Sequence, residues 1–155
     1  MDKYKVFDVC DYILHISPMT PKRLQKMLYF CYSFYLAANN KSGSALENKL
    51  FENQFEAWIH GPVIPIVYRK YADYGMAEIS CEELENDVID VYDKKFLSNI
   101  VNGLSKYTTY QLEMISHNQE PWKKAREKYD FDEISKEKLD DLLIFKCFSK
   151  LVKNG

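Results

Sequence analysis

The sequence is poor in histidine and cysteine, the side chains that form most zinc sites. Its 155 residues include three histidines and four cysteines. No two cysteines form a CxxC pair, and the spacing typical of zinc ligands is missing. We therefore predict no metal and no cofactor, and the unpaired thiols favour a reducing cytoplasm over secretion. The side chains concerned are His15, His60, His117, Cys10, Cys31, Cys81 and Cys147.

The sequence also lacks a long hydrophobic run. Its longest mostly apolar stretch, residues 27–38, is well short of the ~20 residues that a membrane-spanning helix needs. The first residues (MDKYKVFDVCDY) carry charges where a signal peptide would be apolar. We therefore predict a soluble cytoplasmic protein that does not contact a membrane.

An excess of charge of one sign is missing as well. The sequence has 21 basic and 23 acidic residues, and its net charge is −2. This balance argues against a nucleic-acid-binding protein that depends on bulk electrostatics. Two local basic clusters keep operator DNA as an alternative partner, which we do not favour because solvated surface explains both clusters. The clusters are Lys22, Arg23 and Lys26 with Tyr29, and Lys123, Lys124, Arg126 and Lys128 around Trp122.

Apolar and aromatic residues, in contrast, are abundant. Hydrophobic residues make up 46% of the sequence and aromatic residues 15%, which is ample core for one domain over residues 1–155. Apolar residues recur at helical spacing, so we predict a mainly α, compact single-domain fold. The helix Pro21–Ala38, which follows an N-cap at Thr20, is apolar on every side from Met27 onward. We predict that it is the buried central helix.

Apolar periodicity and capping residues predict further helices around the central one. A loop is predicted at residues 39–48, and a short strand at residues 88–91 is the predicted β element. The expected helices are residues 4–16, 66–74, 93–107 and 108–117, a helix opened by Pro121, and residues 136–152 behind an N-cap at Ser135.

The last predicted helix carries two apolar stripes. A surface helix buries one such stripe. Either this helix is covered on both sides, or one stripe contacts a partner, for which a second copy of the chain is one candidate. The stripes are Leu139, Leu142 and Leu143, and Ile144, Phe148 and Leu151.

Residues 51–68 (FENQFEAWIHGPVIPIVY) combine turn residues with aromatic, acidic and histidine side chains. Gly61 before Pro62 predicts a sharp turn, because glycine adopts positive φ and proline fixes the next φ. Pro65 predicts the first turn of the helix that follows. This rigid bend is predicted to be either a buried structural element or a binding surface.

Three motifs together resemble a known family. Residues 24–30 (LQKMLYF) resemble the LQKLLYF helix of the Panacea antitoxin domain, also called SocA-like and common in prophages. Residues 56–68 resemble its EAW-x-x-GPV-x-P-x-VY signature. Ser116-His117 and Pro121-Trp122, with Ala125 beyond, resemble its LSH…PW..A segment. The resemblance covers residues 6–125, whereas residues 130–155 match none of these motifs and are expected to form a helix particular to this protein.

The resemblance implies a mainly helical antitoxin that neutralises a cognate protein toxin by direct contact, in a bacterial host or a phage-infected cell. It implies no enzymatic activity. A phage or prophage adaptor that binds a host protein without any toxin is the alternative. The residues expected to form the signature or to bind the partner are Gln25, Tyr29, Glu56, Trp58, His60, Gly61, Pro62, Tyr68, Tyr71, His117 and Trp122.

A hydrolytic enzyme is a weaker alternative. Glu56 and His60 are four residues apart, so a carboxylate that orients an imidazole would supply a general base, with His117 as a further candidate. The sequence has no recognisable nucleophile motif or glycine-rich loop beside them. We therefore favour structural roles for both histidines.

The twelve tyrosines are too many for a small domain to bury with all hydroxyls satisfied. Tyrosine is enriched at protein interfaces because it offers rigid contact area and one polar tip. Tyr68, Tyr71 and Tyr74 are three residues apart and are expected to line either a docking groove beside Trp58 or the half-buried edge of the core.

Overall fold

The computed structural model describes residues 3–154, so Met1, Asp2 and Gly155 of the predicted domain lie outside the described residues. Within this range the chain forms seven α-helices and one small antiparallel sheet, which confirms the mainly α fold. The elements are α1 (Val6–Ile16), α2 (Pro21–Ala38), β1 (Glu56–Trp58), β2 (Gly61–Val63), α3 (Pro65–Tyr71) with a 3₁₀ turn (Ala72–Tyr74), α4 (Val91–Leu104), α5 (Thr109–His117), α6 (Glu120–Ala125) and α7 (Asp141–Asn154).

Helix α2 is the central helix, as predicted. The Thr20 hydroxyl accepts a hydrogen bond from the Arg23 N–H at the N-terminus of α2, and Pro21 occupies the first turn. Every residue from Leu24 to Ser33 is buried, and α2 contacts α1, α3, α4, α5, α7 and β2. Because α2 touches so many elements, its apolar character on all sides is explained by packing alone.

Aromatic rings from distant parts of the chain meet on α2. The Tyr29 ring packs edge-to-face on Phe55 and Phe148, with each pair of ring centroids 5.6 Å apart. Buried tyrosine hydroxyls find acceptors: Tyr29 donates to Gln119 at 2.8 Å, and Tyr32 donates to Asp141 at 2.8 Å. Tyr29 is therefore a core residue, and its buried ring is not available to stack on a base in the nucleic-acid alternative that we did not favour.

Helix α7 differs from its prediction in two respects. It begins at Asp141, where the Asp140 carboxylate accepts from the Leu142 N–H at 2.9 Å, and the predicted N-cap at Ser135 is wrong. Residues 137–139 instead run beside β1: the Ala57 N–H donates to the Glu137 carbonyl at 2.7 Å, and the Leu139 N–H donates to the Phe55 carbonyl at 2.9 Å. Because residues 137–139 pair with β1, the helix begins only at Asp141.

The second apolar stripe of α7 belongs mostly to the core. Ile144 and Phe148 are buried, and the Phe148 ring lies 4.9 Å from that of Phe34 on α2. Only Leu151 of that stripe is exposed. Of the two alternatives stated for this helix, burial of Ile144 and Phe148 favours the one in which the helix is covered on both sides.

The β element lies elsewhere than predicted. Residues 88–91 form no strand, because the Asp90 carboxylate accepts from the Asp93 N–H and starts α4 at Val91. The antiparallel pair β1–β2 forms instead within the bend, with Glu56 opposite Val63 and Trp58 opposite Gly61. The predicted bend is thus a hairpin with a two-residue turn, and α3 follows with Pro65 in its first turn.

The loop predicted at residues 39–48 and the capping box of α5 are both present. No helix within residues 3–154 has the length and apolar character needed to cross a membrane.

Candidate functional site

Four buried side chains hold the β1–β2 hairpin by its backbone; we call them the anchoring residues. They come from α2, from α6 and from the residue that follows α6. Each forms at least one hydrogen bond to a main-chain atom of residues 57–64. The anchoring residues are Gln25, Lys26, Trp122 and Arg126.

Gln25 binds both main-chain atoms of Ile64. Its side-chain amide nitrogen donates to the Ile64 carbonyl at 3.1 Å, and its amide oxygen accepts from the Ile64 N–H at 2.9 Å. A primary amide has this donor and acceptor pair, so a hydrophobic residue of the same size would leave two buried polar groups unpaired. Gln25 therefore fixes the point where the chain leaves β2 for α3.

Lys26 is buried, although the sequence predicted three solvated cations at this end of α2. Its Nζ donates to the His60 carbonyl at 2.5 Å and lies 3.8 Å from Glu113 Oε1. Burial lowers the pKa of Lys26 to about 8, and Glu113 opposes that shift. Arg23 also has intramolecular partners, because its guanidinium donates to the Leu104 carbonyl at 3.3 Å. The interpretation as solvated surface is therefore wrong for Lys26, whereas the side chain of Lys22 is 52% exposed.

Glu113 on α5 is the acidic centre of this region. Its Oε2 lies 3.1 Å from His60 Nδ1, and its Oε1 lies 3.1 Å from Lys22 Nζ. Burial opposes the charged form of Glu113, yet the hydrogen bond from His60 and the contacts with Lys22 and Lys26 hold the pKa of this carboxyl below its usual value. Sequence reasoning missed Glu113, which stands four residues before His117 on the same helix.

Gly61 closes the hairpin under a tight steric constraint. Its φ is 117°, a conformation that side chains with a Cβ rarely adopt. A Cβ at this position would lie 3.2 Å from Ser116 Oγ and 3.4 Å from Lys26 Nζ. The buried Pro62 follows in β2 opposite Ala57. Both residues therefore lie at the start of β2, directly after the two-residue turn.

His117 and Trp122 form a stacked pair under the hairpin. Their ring centroids are 4.0 Å apart with an interplanar angle of 14°. Trp122 Nε1 donates to the Trp58 carbonyl at 2.8 Å, which makes Trp122 an anchoring residue. Burial lowers the pKa of His117, and among the described residues no hydrogen-bond partner meets its buried Nε2. A neutral, stacked imidazole fits the structural role that we favoured.

Arg126 is a second anchoring residue that sequence reasoning placed on a solvated surface. The sequence suggested a solvated basic cluster, but Arg126 is 5% exposed. Its Nη1 donates to the Ala57 carbonyl at 2.9 Å, and its Nη2 donates to the carbonyls of Asp130 and Glu133. The guanidinium therefore ties β1 to the loop that precedes α7. The available signal was its position four residues after Trp122, on the same side of a helix.

The side chains on the other side of the hairpin have fewer contacts within the chain. Trp58 is half-buried; its Nε1 donates to Glu56 Oε1 at 2.9 Å, and its ring centroid lies 5.0 Å from that of Tyr68. Tyr68 is 49% exposed, and the His60 side chain is 67% exposed. Trp58 was predicted to be either a buried keystone or a partner contact, and half-burial fits the second role better.

Two grooves flank the Trp58 ring. The groove toward α2 has a volume of about 300 Å³, and the groove toward the loop before α7 has a volume of about 370 Å³. Trp58, His60 and Val63 line both grooves. Ile134, which is 78% exposed, borders the second groove. We call the exposed region formed by Trp58, Ile59, His60, Tyr68 and Ile134 the Trp58 surface.

The tyrosine series divides between the two environments that we expected. Tyr68 and Tyr74 are exposed, whereas Tyr71 is 6% exposed and packs against the core where it lines the groove toward α2. The Glu56–His60 pair of the weaker enzymatic alternative does not form, because Trp58 Nε1 donates to Glu56 Oε1 whereas His60 contacts Glu113. Glu56 lies in β1 opposite Val63, whereas His60 lies in the turn.

A third depression, of about 410 Å³, lies between α2, α4 and α7 and is mainly apolar. Its lining residues, such as Phe96 and Ile100, belong to none of the three motifs. Within residues 3–154 no group of three or more His, Cys, Asp or Glu side chains is placed to hold a metal ion.

Comparison with known proteins gives two matches. The family described as "Antitoxin SocA-like, Panacea domain" matches residues 24–123, which is more than half of the chain and includes the three motifs up to Trp122. The chain is also 32% identical over 72 residues to a protein named Antitoxin SocA from Caulobacter vibrioides (strain NA1000 / CB15N). That alignment covers 46% of this chain and 35% of the Caulobacter protein, so the chain matches about a third of that relative. No solved structure matches the chain significantly.

Proposed function

This chain belongs to the SocA-like Panacea antitoxin family, and we propose that it is the antitoxin of a toxin–antitoxin pair. It neutralises a cognate protein toxin by direct contact, without a reaction of its own. The name of the Caulobacter relative supports the same role. We propose the cytoplasm as its site of action, and the free, buried thiols of Cys10 and Cys31 support that location.

The observation that carries the proposal is an aromatic pair at the surface, the half-buried Trp58 and the exposed Tyr68. Both belong to the signature motif, yet the fold buries neither of them completely. Their rings pack together at 5.0 Å and present rigid area that loses little conformational entropy on binding. Aromatic residues of this kind dominate the binding energy of protein interfaces.

The surroundings of the pair support the same assignment. Ile59 in the turn and Ile134 across the second groove add apolar area to one side. Tyr68 extends the surface on the other side, along the groove toward α2. The groove volumes of about 300 and 370 Å³ match the lower end of the range for ligand pockets, so each has room for a few inserted side chains.

The experiment is growth rescue. Any short open reading frame co-transcribed with this gene is the candidate toxin gene and is expressed from an inducible promoter, and the antitoxin or a variant is expressed from a second plasmid. Wild type should restore growth. Trp58→Ala combined with Tyr68→Ala should not, although the variant accumulates as folded protein.

Tyr92→Ala is the matched control. Tyr92 is 83% exposed on α4 and lines neither groove beside Trp58, so its loss should leave rescue unchanged. A neighbouring gene product that is not toxic, or toxicity that wild type does not relieve, would contradict the antitoxin proposal. Binding without toxicity would point to the adaptor function instead.

A further inference from the structure

The groove toward α2 has an uneven charge distribution. Its apolar walls include Val63, Val67 and Tyr68. The basic side chains that line it are Lys22, Lys26 and His60, and no carboxylate is among its lining residues. Since acidic residues outnumber basic ones in the whole chain, this local arrangement does not follow from composition.

One carboxylate, that of Glu113, lies close to all three of these groups. Glu113 Oε1 lies 3.1 Å from Lys22 Nζ and 3.8 Å from Lys26 Nζ, while Oε2 lies 3.1 Å from His60 Nδ1. Two ammonium groups thus face a single negative charge. The side chain of Lys22 is 52% exposed, so its remaining N–H donors are directed to solvent or to a bound group.

We propose that this groove binds an acidic side chain of the partner protein that lies next to an aromatic or aliphatic side chain; the inference rests on the proposed function. The carboxylate is placed beside Lys22 and His60 and completes the charge balance with Glu113. The neighbouring apolar side chain packs against Tyr68 and Val67.

A protein carboxylate fits this groove better than a nucleic-acid phosphate. Binding along a phosphate backbone needs several exposed cations in a row. Here Lys26 is buried and Arg23 is bonded to the Leu104 carbonyl, so Lys22 is the one ammonium in the groove with substantial exposure. Apolar walls around a single exposed cation suit an acidic residue with an apolar neighbour.

Two variants separate this groove from the general effect of surface charge. Lys22→Gln removes the exposed cation of the groove. Lys124→Gln is the matched control, because Lys124 has similar exposure (58%) and a similar ion pair, 3.0 Å from Glu127, but lies outside the groove. Circular dichroism should show both variants folded, because Glu113 keeps Lys26 and His60 as partners in Lys22→Gln, and Lys124→Gln loses an exposed ion pair.

The first measurement uses the product of the neighbouring gene. Lys22→Gln should bind it roughly three- to tenfold more weakly than wild type and with a smaller dependence on salt, whereas Lys124→Gln should match wild type. If the partner binds wild type and Lys22→Gln equally well, the inference is overturned while the proposed function stands.

The second measurement needs no toxin. Short peptides with blocked ends, one with Glu next to Phe and the other with Gln in place of Glu, are titrated against the protein. Fluorescence of Trp58 is the readout, with Trp58→Phe to identify its signal. We expect the Glu peptide to bind roughly three- to tenfold more tightly, and this preference to disappear in Lys22→Gln.

Equal binding of the two peptides, or no binding of either, overturns the inference. So does binding of a duplex oligonucleotide that Lys22→Gln abolishes, because the groove would then recognise phosphate. If the neighbouring gene product does not bind wild type at all, the proposed function fails, and the peptide comparison still decides the chemistry of the groove.

Discussion

The backbone and the side chains of the β1–β2 hairpin have different contacts. Hydrogen bonds from the anchoring residues reach the main chain at Ala57, Trp58, His60 and Ile64. The side chains of Trp58 and His60, in contrast, remain partly or largely exposed. Because these bonds reach the hairpin through its main chain, they do not depend on which exposed side chains stand at positions 58 and 60. The fold therefore separates stability from recognition within one short segment.

This separation explains why the motifs contain two kinds of residue. Gln25 and Trp122 are buried and act on the main chain, so their substitution should affect folding. Trp58 and Tyr68 extend away from the anchored backbone, so their substitution should affect binding more than folding. The predictions below test this division.

The largest effect is expected at Arg126. Arg126→Ala removes hydrogen bonds to three carbonyls, and the free energy of unfolding should fall by about 3–5 kcal/mol. Arg126→Lys keeps the charge but not the planar set of donors, so it should recover only part of that loss. Denaturant unfolding measures both variants, and a loss below about 1 kcal/mol for Arg126→Ala would show that the hairpin does not depend on this anchor.

The two tryptophans give a direct comparison of the two kinds of residue. Trp122→Ala should cost about 3–5 kcal/mol, because it removes a buried ring and the bond to the Trp58 carbonyl. Trp58→Ala should cost about 1–2 kcal/mol, because its ring is half-buried. Equal losses for the two variants in denaturant unfolding would contradict the proposed division.

Lys26 should make the stability depend on pH in an unusual direction. Its pKa of about 8 in the folded protein lies below the value of 10.5 for an unperturbed lysine. The unfolded chain therefore binds more protons between these values, and the contribution of Lys26 to stability rises with pH from about 8 to 10.5. The shift corresponds to a gain on the order of 3 kcal/mol.

The measurement is the difference in unfolding free energy between wild type and Lys26→Met at several pH values. Burial raises the pKa of the Cys10 and Cys31 thiols, which lowers stability above pH 9, but this contribution is the same in both proteins and cancels. The unfolding free energy of wild type should increase relative to that of Lys26→Met as the pH rises. A difference that stays constant with pH would show that Lys26 is not buried in its charged form.

Two glycines should give effects of opposite sign, and the effect at Gly103 should be the smallest of the series. Gly61→Ala should destabilise by about 1–3 kcal/mol, because the residue has φ 117° and a Cβ would lie 3.2 Å from Ser116 Oγ. Gly103→Ala should stabilise by about 0.5–1 kcal/mol, because Gly103 lies within α4 with open space around a Cβ. Thermal unfolding should show opposite shifts, and shifts of the same sign would contradict the strain assigned to the hairpin turn.

Local signals in the sequence were sufficient for much of the fold. The Thr20-Pro21 start of α2, the capping box at Thr108 and the Gly61-Pro62 turn are each determined within a few residues. The start of α7 was mispredicted because residues 137–139 pair with β1, about 80 positions earlier in the chain. Local sequence propensity does not indicate a pairing between residues so far apart in the chain.

The site was predictable in part for a similar reason. The motifs identified Trp58, Tyr68 and Trp122. From sequence alone, however, a charged side chain is expected to be solvated. Lys26 and Arg126 are buried because distant carbonyls accept their hydrogen bonds. Glu113 was missed because its contacts with Lys26 and His60 arise only when α5 packs against the hairpin.

The most direct test of the account is the affinity of Tyr68→Ala for the neighbouring gene product, measured by titration calorimetry beside its unfolding free energy. We predict that binding weakens by about 1–2 kcal/mol or more while stability stays within about 0.5 kcal/mol of wild type. Tyr92→Ala should change neither quantity. If Tyr68→Ala binds as tightly as wild type, or if it loses stability in proportion to affinity, the Trp58 surface is not the binding site.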